Sequence, residues 1–223
     1  ANLDFNYFTG GNTFRYGAQF SGFNTDFQYR NAAERTVRQE EFTTELAAYA
    51  SYKIKNGAFI LEPGMRIHYF ASLAETSPEP RFQGKILFND WLRFKFSGGL
   101  YAQNLLSARS DRDVVNLFYG FLSGPEEIPD YYRGEEVHTR LQKARHVIAG
   151  FEIDLNDFQF INIETYYKYF NQLTNINRNK IFDNTSEYAD RDLYLRSDYI
   201  IERGNAYGID FNYEYDRDRW YLW

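Results

Sequence analysis

The sequence predicts an all-β protein, an antiparallel transmembrane β-barrel, on three observations. Apolar and polar residues alternate with a period of two along most of the chain. Several of the alternating segments are about 12 to 16 residues long, whereas a common strand has about 5–6 residues. The connections between these segments alternate between short turns and longer stretches, which is the asymmetry of transmembrane barrels.

The composition narrows the class further. The chain has 223 residues, a net charge of −6 and no cysteine, so disulfides and thiolate metal sites are excluded and nothing favours nucleic-acid binding. Aromatic residues make up 20% of the chain. There is no run of about 18 apolar residues, which excludes a transmembrane helix. Strands that cross a membrane are not excluded, because each strand of a barrel carries only a weak alternating signal.

The alternation predicts ten strands, which lie in chain order at about residues 1–9, 13–23, 43–55, 58–73, 81–89, 91–103, 145–156, 158–171, 205–216 and from 219 onward. Short turns join them pairwise, at Gly10-Gly11-Asn12, Asn56-Gly57, Asn89-Asp90, Asn156-Asp157 and Asp216-Arg217-Asp218. Between these hairpins we predict longer connections at 24–42, 74–80, 104–144 and 172–204. Outer-membrane barrels sort their connections in this way, with short periplasmic turns and longer extracellular loops.

The two faces of the predicted strands differ sharply in charge. In eight strands, the 44 positions of the apolar phase contain no Asp, Glu, Lys or Arg, while the opposite phase carries fifteen charged residues. A single lipid-facing Arg or Lys costs about 2–4 kcal/mol at the bilayer midplane. Slipping one strand by a residue would expose such charges, so the pattern fixes the register.

The charged phase is predicted to face the interior of the barrel. Its mixture of both signs favours a hydrated lumen, or a lumen that holds another charged body, over a packed apolar core. The candidate lumen-facing residues are Glu62, Arg66, His68, Arg93, Lys95, Glu152, Glu164 and Lys168.

A soluble β-protein with a dry core and a wet outside would also alternate, and this alternative stays open at this point. Long strands and sorted loops argue against it. Aromatic residues also gather near the strand ends, as Tyr52 and Tyr169 do, while Ala48 and Ile163 lie in the middles. This distribution is typical of two interfacial aromatic girdles around an aliphatic band.

The order of the connections predicts an internal segment of a larger barrel over residues 1–223. A complete bacterial barrel keeps both termini in the periplasm, so its first and last connections are long. Here both are short, and the last strand would stop at Trp223 after about five residues. Two exposed half-strands would leave edges that natural barrels avoid.

Three segments resemble the barrel of TonB-dependent outer-membrane receptors. The first is EPGMRIHYFASLAETSPEPRFQGKILFNDWLRFKFSGGLYAQNL at 62–105, with matching positions at Pro63, Gly64, Met65, Arg66, Pro80, Arg81, Gly99, Tyr101 and Gln103. The second comprises ARHVIAGFEIDL and IETYYKYFNQL, which are similar to the next hairpin of the family. The third, ERGNAYGIDFNYEY at 202–215, is similar to a later strand. The resemblance covers about residues 58–216 in the family's order.

Membership in this family would imply a 22-stranded barrel, of which this chain would supply about ten strands. It would also imply an N-terminal plug domain outside this chain, energy supplied by the TonB complex, and import of a scarce nutrient across the bacterial outer membrane. Outer-membrane lipid, the plug, the TonB complex and a surface lipoprotein would be the partners. The many Tyr, Asn and Phe residues resemble Bacteroidota members of the family.

The candidate ligand contacts lie in the longest connection, where aromatic rings with polar tips suit sugar faces or aromatic siderophores. They are Phe118, Tyr119, Phe121, Tyr131, Tyr132 and Arg133. The alternative is that these side chains only pack the loop against itself. The sequence does not specify whether the substrate is a siderophore, cobalamin, a glycan or a peptide.

No catalytic residue, metal site or cofactor is predicted. The three histidines are scattered, FSGGLY lacks the Gly-x-Ser-x-Gly elbow, and no zinc spacing, P-loop or dinucleotide fingerprint is present. An outer-membrane protease or phospholipase barrel and a structural barrel without transport are the alternatives to a transporter. The enzyme would require a cluster of His with Ser or Asp, which the sequence does not indicate.

Overall fold

Ten strands form one antiparallel sheet that accounts for most of the molecule. The computed structural model describes residues 1–31, 33–107, 121–123, 128–217 and 219–223. The ten strands are β1 Asn2–Thr9, β2 Asn12–Arg30, β3 Thr36–Asn56, β4 Phe59–Phe70, β5 Glu75–Leu87, β6 Leu92–Gln103, β11 Gln142–Asn156, β12 Gln159–Ile176, β13 Tyr199–Arg217 and β14 Trp220–Leu222. Each pairs with the next along the chain, and β6 pairs directly with β11. The predicted all-β class is confirmed.

The other elements are short and lie in the longer connections. Two small sheets pair β7 Leu105–Ser107 with β8 Phe121–Ser123, and β9 Tyr131–Tyr132 with β10 Glu135–Glu136. The helical elements are two 3-10 turns, Ala71–Leu73 and Ser186–Tyr188, and one turn of α-helix, α1 Leu193–Arg196. Among the described residues, no helix is long and apolar enough to cross a membrane.

The short turns occur where the sequence predicts them. Gly10 and Gly57 have positive φ angles, +57° and +55°, a conformation that glycine adopts without steric cost. At the next two turns an asparagine side chain stabilises the turn by a hydrogen bond. Asn89 Oδ1 accepts from the backbone N–H of Leu92 (2.7 Å), and Asn156 Oδ1 accepts from that of Phe158 (3.0 Å). Because the sheet is a meander, the short turns that the sequence predicts lie at one end of it.

The register joins the uncharged phases of neighbouring strands into one continuous face, which we call the apolar face. Phe20 is paired with Leu46 and Leu46 with Tyr69, and on the other half of the sheet Ile163 is paired with both Phe151 and Phe211. Side chains on this face are not covered by the rest of the described chain. Ile67 is 52%, Phe211 66% and Ile209 72% exposed. A soluble sandwich would bury such residues between sheets, so the soluble alternative loses its dry core.

The buried apolar residues lie instead at the end of the longer connections. One cluster contains Val37, Leu106 and Tyr199, and the other contains Phe70, Leu73 and Leu141. These residues come from strand ends and from the connections between them. The hydrophobic core therefore holds the loops in place and leaves the apolar face uncovered.

Two of the four predicted long connections are wrong. Most of 24–42 lies in β2 and β3, which pair from Phe23 with Thr43 out to Arg30 with Thr36. The alternation continues there, but charges enter the phase that is uncharged in the rest of these strands, as at Asp26 and Glu40, which are paired with each other. A criterion based on an uncharged phase therefore ended these strands too early. We call residues 24–42 the outer hairpin.

The predicted 74–80 loop is also largely strand, because β5 begins at Glu75. Its prolines, Pro78 and Pro80, indicated a loop. Up to Pro80 the strand pairs only with β4, and pairing with β6 begins at Arg81. Proline has no N–H group to donate, but on the β6 side of this part of β5 there is no described ladder that the two prolines could interrupt. A strand tolerates proline on such an edge.

Candidate functional site

The polar face of the sheet carries a network of ion pairs that spans β5, β6, β11 and β12. Its members, which we call the charge ladder, are Lys85, Arg93, Lys95, Glu152, Asp154 and Glu164. Lys85 Nζ lies 2.7 Å from Glu152 Oε2, and Arg93 Nε lies 3.1 Å from the same oxygen. Arg93 also binds Asp154 through two N–H groups, each at 2.6 Å. Three cations thus neutralise three carboxylates on the polar face of the sheet.

The register and one glycine explain why the ladder forms. Lys95 is paired with Gly150, and Gly150 with Glu164, so the two charged side chains flank a residue without a side chain. Lys95 forms an ion pair with Glu164 across this gap. A Cβ at Gly150 would lie 2.3 Å from the carbonyl oxygen of Ile163 and 3.0 Å from Glu164 Cα. Glycine is therefore required for the close approach of the two strands.

His68 lies in a second polar group, on β3, β4 and β5. Its Nε2 lies 3.3 Å from Glu45 Oε2, and its Nδ1 lies 3.7 Å from Glu79 Oε1. Glu79 is only 2% exposed and also pairs with Arg81 at 2.6 Å. The Phe70 ring covers the imidazole, with the two ring centroids 4.0 Å apart. A buried carboxylate is tolerated where such partners compensate its charge.

The structure places the remaining lumen candidates on the polar face without joining them to one another. Glu62 accepts hydrogen bonds from Ser51 Oγ (2.9 Å) and Gln83 Nε2 (3.0 Å). Arg66 donates to the side-chain oxygen of Gln19 (2.9 Å). Lys168 lies over the Tyr166 ring, 5.1 Å from its centroid. These contacts hold the side chains against the wall, and they do not test whether the polar face encloses a lumen.

The loop candidates are only partly covered. Phe118 and Tyr119 lie outside the described residues, and the structure describes only the backbone of Phe121, in β8. Tyr131 is exposed. Tyr132 lies between two guanidinium groups, with Arg133 at 5.3 Å and Arg203 at 5.2 Å from its ring centroid. This cation–π packing agrees with the alternative that the aromatics support the loop, so ligand binding there stays a prediction.

Sequence reasoning missed a polar contact between the outer hairpin and the connection after β12. Asn31 Nδ2 donates to the carbonyl oxygen of Lys180 (2.7 Å), and Arg35 binds Asp183 (3.0 Å). Lys180 is buried and pairs with Asp198. These residues are about 150 positions apart in the chain, and no local sequence pattern could have indicated that they meet.

Tyr199 ties this contact to the nearby core. It is buried at the start of β13, and its hydroxyl lies 3.0 Å from Gln39 Oε1 on the outer hairpin. Burial raises the pKa of the Tyr199 phenol above its ordinary value, and the charges of Asp198 and Glu41 act in the same direction. The phenol therefore stays protonated, and donates its hydrogen bond, well into the alkaline range.

The described polar side chains of the sheet form ion pairs and hydrogen bonds with one another. Among the described residues, no group of three or more His, Asp or Glu side chains is placed to hold a metal ion. The described hydrogen bonds of the histidines do not include a serine: His68 contacts carboxylates, and His146 stacks on Tyr101 with the centroids 4.6 Å apart. What the wall presents is a polar surface on which charged groups can bind.

Comparison with known proteins supports this fold. No protein-family model matches the sequence, and no curated protein matches it. Among solved structures, the siderophore receptor PirA from Pseudomonas aeruginosa aligns over 96% of this chain and 37% of its own length, with a TM-score of 0.51 and 12% identity. The outer membrane transporter YddB from Escherichia coli aligns over 96% of this chain and 29% of its own length, with a TM-score of 0.50 and 13% identity.

The chain is similar in fold to a segment of these two proteins. It spans about a third of the length of these two structures. At such low identity the likeness concerns the fold alone, which agrees with the ten-stranded meander. In transmembrane barrels in general, an uncharged face is turned toward lipid and a polar face is turned inward.

Proposed function

We propose that this chain forms part of the barrel wall of a TonB-dependent receptor that imports a scarce nutrient across the bacterial outer membrane. The observation that carries the proposal is the continuous apolar face, which the register builds from uncharged positions of neighbouring strands and leaves exposed. Such a surface is stable in hydrocarbon and would be a liability in water. The two solved transporters provide the fold-level support.

The proposal includes the architecture that the family resemblance implies. Residues 1–223 supply about ten strands of a 22-stranded barrel, while a plug domain and the remaining strands lie elsewhere in the protein. Lipid contacts the apolar face, the plug fills the lumen, and the TonB complex supplies the energy. A surface lipoprotein is a further proposed partner. The Bacteroidota type rests on composition alone.

For the substrate, we propose only a set of compound classes to test. PirA is a siderophore receptor, and a siderophore is therefore the first compound class to test. Cobalamin, glycans and peptides follow. The proposed contacts are the loop residues Tyr131, Tyr132 and Arg133, together with Phe118, Tyr119 and Phe121.

Uptake by intact cells tests the proposal directly. A strain that lacks the full-length gene should fail to accumulate one of the labelled nutrients, and the intact gene should restore uptake. Energy coupling predicts that a protonophore abolishes the restored uptake without changing the binding of the nutrient to the cell surface. Accumulation that persists with the protonophore would indicate a passive pore instead.

The enzyme alternative has its own outcome in the same strains. A protease or phospholipase barrel would leave uptake unchanged on deletion and would release peptide or fatty acid in its presence. No observation on the described residues favours that outcome.

A further inference from the structure

A cavity of about 420 Å³ opens on the polar face of β2–β6, apart from the charge ladder. One row of cross-strand pairs forms its centre: Arg15 pairs with Ser51, Ser51 with Gly64, and Gly64 with Arg81. Two small residues therefore lie between two arginines at the same level of the wall. Arg66 and Glu62, which flank Gly64 on β4, also line the cavity.

The floor of this cavity has no room for larger side chains. A Cβ at Gly64 would lie 3.1 Å from Ser51 Cβ and 3.3 Å from the carbonyl oxygen of Ala50. These distances are tight contacts, so any side chain at this position would have to displace its neighbours or project into the cavity. The glycine keeps open a space that the surrounding arginines can reach.

The charges of the cavity are not balanced as those of the ladder are. Arg15 donates to Asn6 Oδ1 (3.2 Å) and Arg66 to Gln19 Oε1 (2.9 Å), both neutral acceptors. Arg81 is the exception, because it pairs with Glu79 at 2.6 Å. Glu62 accepts only from the neutral donors of Ser51 and Gln83. Two guanidinium groups against one carboxylate leave an excess of positive charge.

The ladder on the same wall gives the comparison. There each of the three cations, Lys85, Arg93 and Lys95, has a carboxylate oxygen within 4 Å. The wall is thus able to neutralise its own cations where its register brings opposite charges together. Around the cavity the described ion pairs include only that of Arg81 with Glu79, although the register also pairs Glu79 with Arg66. The guanidinium groups of Arg15 and Arg66 match a carboxylate in geometry and charge.

We propose that this arginine cavity, lined by Arg15, Arg66 and Arg81 around Gly64, binds a carboxylate group. The carboxylate has two candidate sources, a solute that passes through the barrel and an acidic side chain of a domain that fills it. Both present the same chemistry to the arginines. The inference rests on the proposed function in one respect, that the polar face lines an aqueous interior.

Citrate is the probe for the site, and the full-length purified protein in detergent is the sample. The test variant is Arg15→Gln with Arg66→Gln. The matched control is Lys53→Gln with Lys168→Gln, which removes the same charge from polar-face positions that do not line the cavity. Isothermal titration calorimetry should show citrate affinity lowered about tenfold or more in the test variant and changed less than about twofold in the control, since only the test variant removes charged donors that can bind a carboxylate.

The thermal unfolding temperature of the same samples distinguishes the two sources. Citrate binding to the unmodified protein, lost in the test variant alone, assigns the site to a solute. No citrate binding, with a test variant that unfolds several degrees below the control, assigns it to an acidic side chain of the protein itself. Equal behaviour of the two variants in both measurements overturns the proposal. A failure of nutrient uptake alone would concern the proposed transport function and not this site.

Discussion

Gly150 shows how a single missing side chain determines a network of charges. It separates Lys95 from Glu164 by one strand and allows β11 to approach β12 closely. Around it, Glu152 accepts from Lys85 and Arg93 and lies 3.6 Å from Lys95 Nζ. The stability of the wall at this level therefore depends on one backbone position and one carboxylate.

Gly150→Ala should destabilise the barrel. The new Cβ would lie 2.3 Å from the carbonyl oxygen of Ile163, so β11 and β12 must separate, at a cost of about 1–3 kcal/mol. The measurement is thermal unfolding of the purified protein in detergent, followed by circular dichroism. Gly204→Ala is the control, because nothing lies within 4 Å of a Cβ there. Equal melting temperatures for the two variants would show that the close approach is not required.

Glu152→Gln should weaken the same region by leaving cations without their carboxylate. The three cations are only partly exposed, so the expected loss is about 1–3 kcal/mol in the free energy of unfolding. Urea unfolding in detergent measures it. Asp210→Asn makes the same chemical change at an exposed polar-face position and should cost less than about 0.5 kcal/mol. A smaller loss for Glu152→Gln than for Asp210→Asn would contradict the role given to the ladder.

At the scale of elements, the outer hairpin extends β2 and β3 beyond the apolar face and docks on the connection after β12. The Asn31 side chain forms hydrogen bonds both within the turn of the hairpin and to the connection after β12. Its Oδ1 accepts from the backbone N–H groups of Ala33 (3.0 Å) and Arg35 (2.9 Å), while its Nδ2 donates to Lys180. The turn and the docking contact are thus made by the same side chain.

Asn31→Ala should loosen the outer hairpin without unfolding the barrel. Losing these buried hydrogen bonds costs about 1–3 kcal/mol locally, so a protease added to intact cells should cleave near the hairpin about tenfold faster. Arg38→Ala, on the exposed side of the same hairpin, should leave the cleavage rate nearly unchanged. Cleavage that is equally fast in both variants would mean that the hairpin is not docked.

Tyr199 adds a pH dependence to this contact. Because burial raises the phenol pKa in the folded protein, the unfolded segment releases this proton more readily, at its ordinary pKa of about 10. The stabilisation is fully present below pH 10 and is lost as the pH rises above it. Protease resistance of the outer hairpin should therefore fall above pH 10 in the unmodified protein. Tyr199→Phe should show a smaller fall over the same range, and an unchanged fall would exclude Tyr199 as the titrating group.

The error in the length of β2 and β3 has a physical cause. Beyond Gly22 and Thr44, the phase of β2 and β3 that is uncharged up to that point carries Asp26 and Glu40, while the other phase buries Val37 in a core cluster. Backbone pairing does not depend on that change, so the strands continue to Arg30 and from Thr36. A pattern of uncharged positions therefore predicts the extent of the apolar face, and it underestimates the length of the strand.

At the scale of the whole molecule, the proposed function depends on whether lipid or water contacts the apolar face. Spin labels at Ala48, Met65 and Ile163, introduced as single cysteines into a chain segment that has none, should be quenched by oxygen dissolved in lipid and shielded from an aqueous nickel complex. The polar-face neighbours Ser51 and Asn162 provide the control and should show less contact with oxygen. Access of the nickel complex to the three apolar-face labels in native membranes would exclude a lipid-facing wall.

The sequence by itself determined the order of the ten strands, the short turns and the division into two faces. These follow from the period of two that backbone geometry imposes on every strand, so a run such as Phe151, Ile153 and Leu155 can be assigned to one face locally. Register followed as well, because any slip would turn charges toward the uncharged face.

Only the tertiary structure decided which charges meet. Glu164 pairs with Lys95 across Gly150, and Arg66 has a neutral glutamine, although all of them lie on the same phase of their strands. The partner of a side chain depends on which residues the register places on the neighbouring strands, and on whether a small residue between them leaves room. The docking of Asn31 on Lys180 likewise joins two segments that are far apart in the chain, which no periodicity along the chain records.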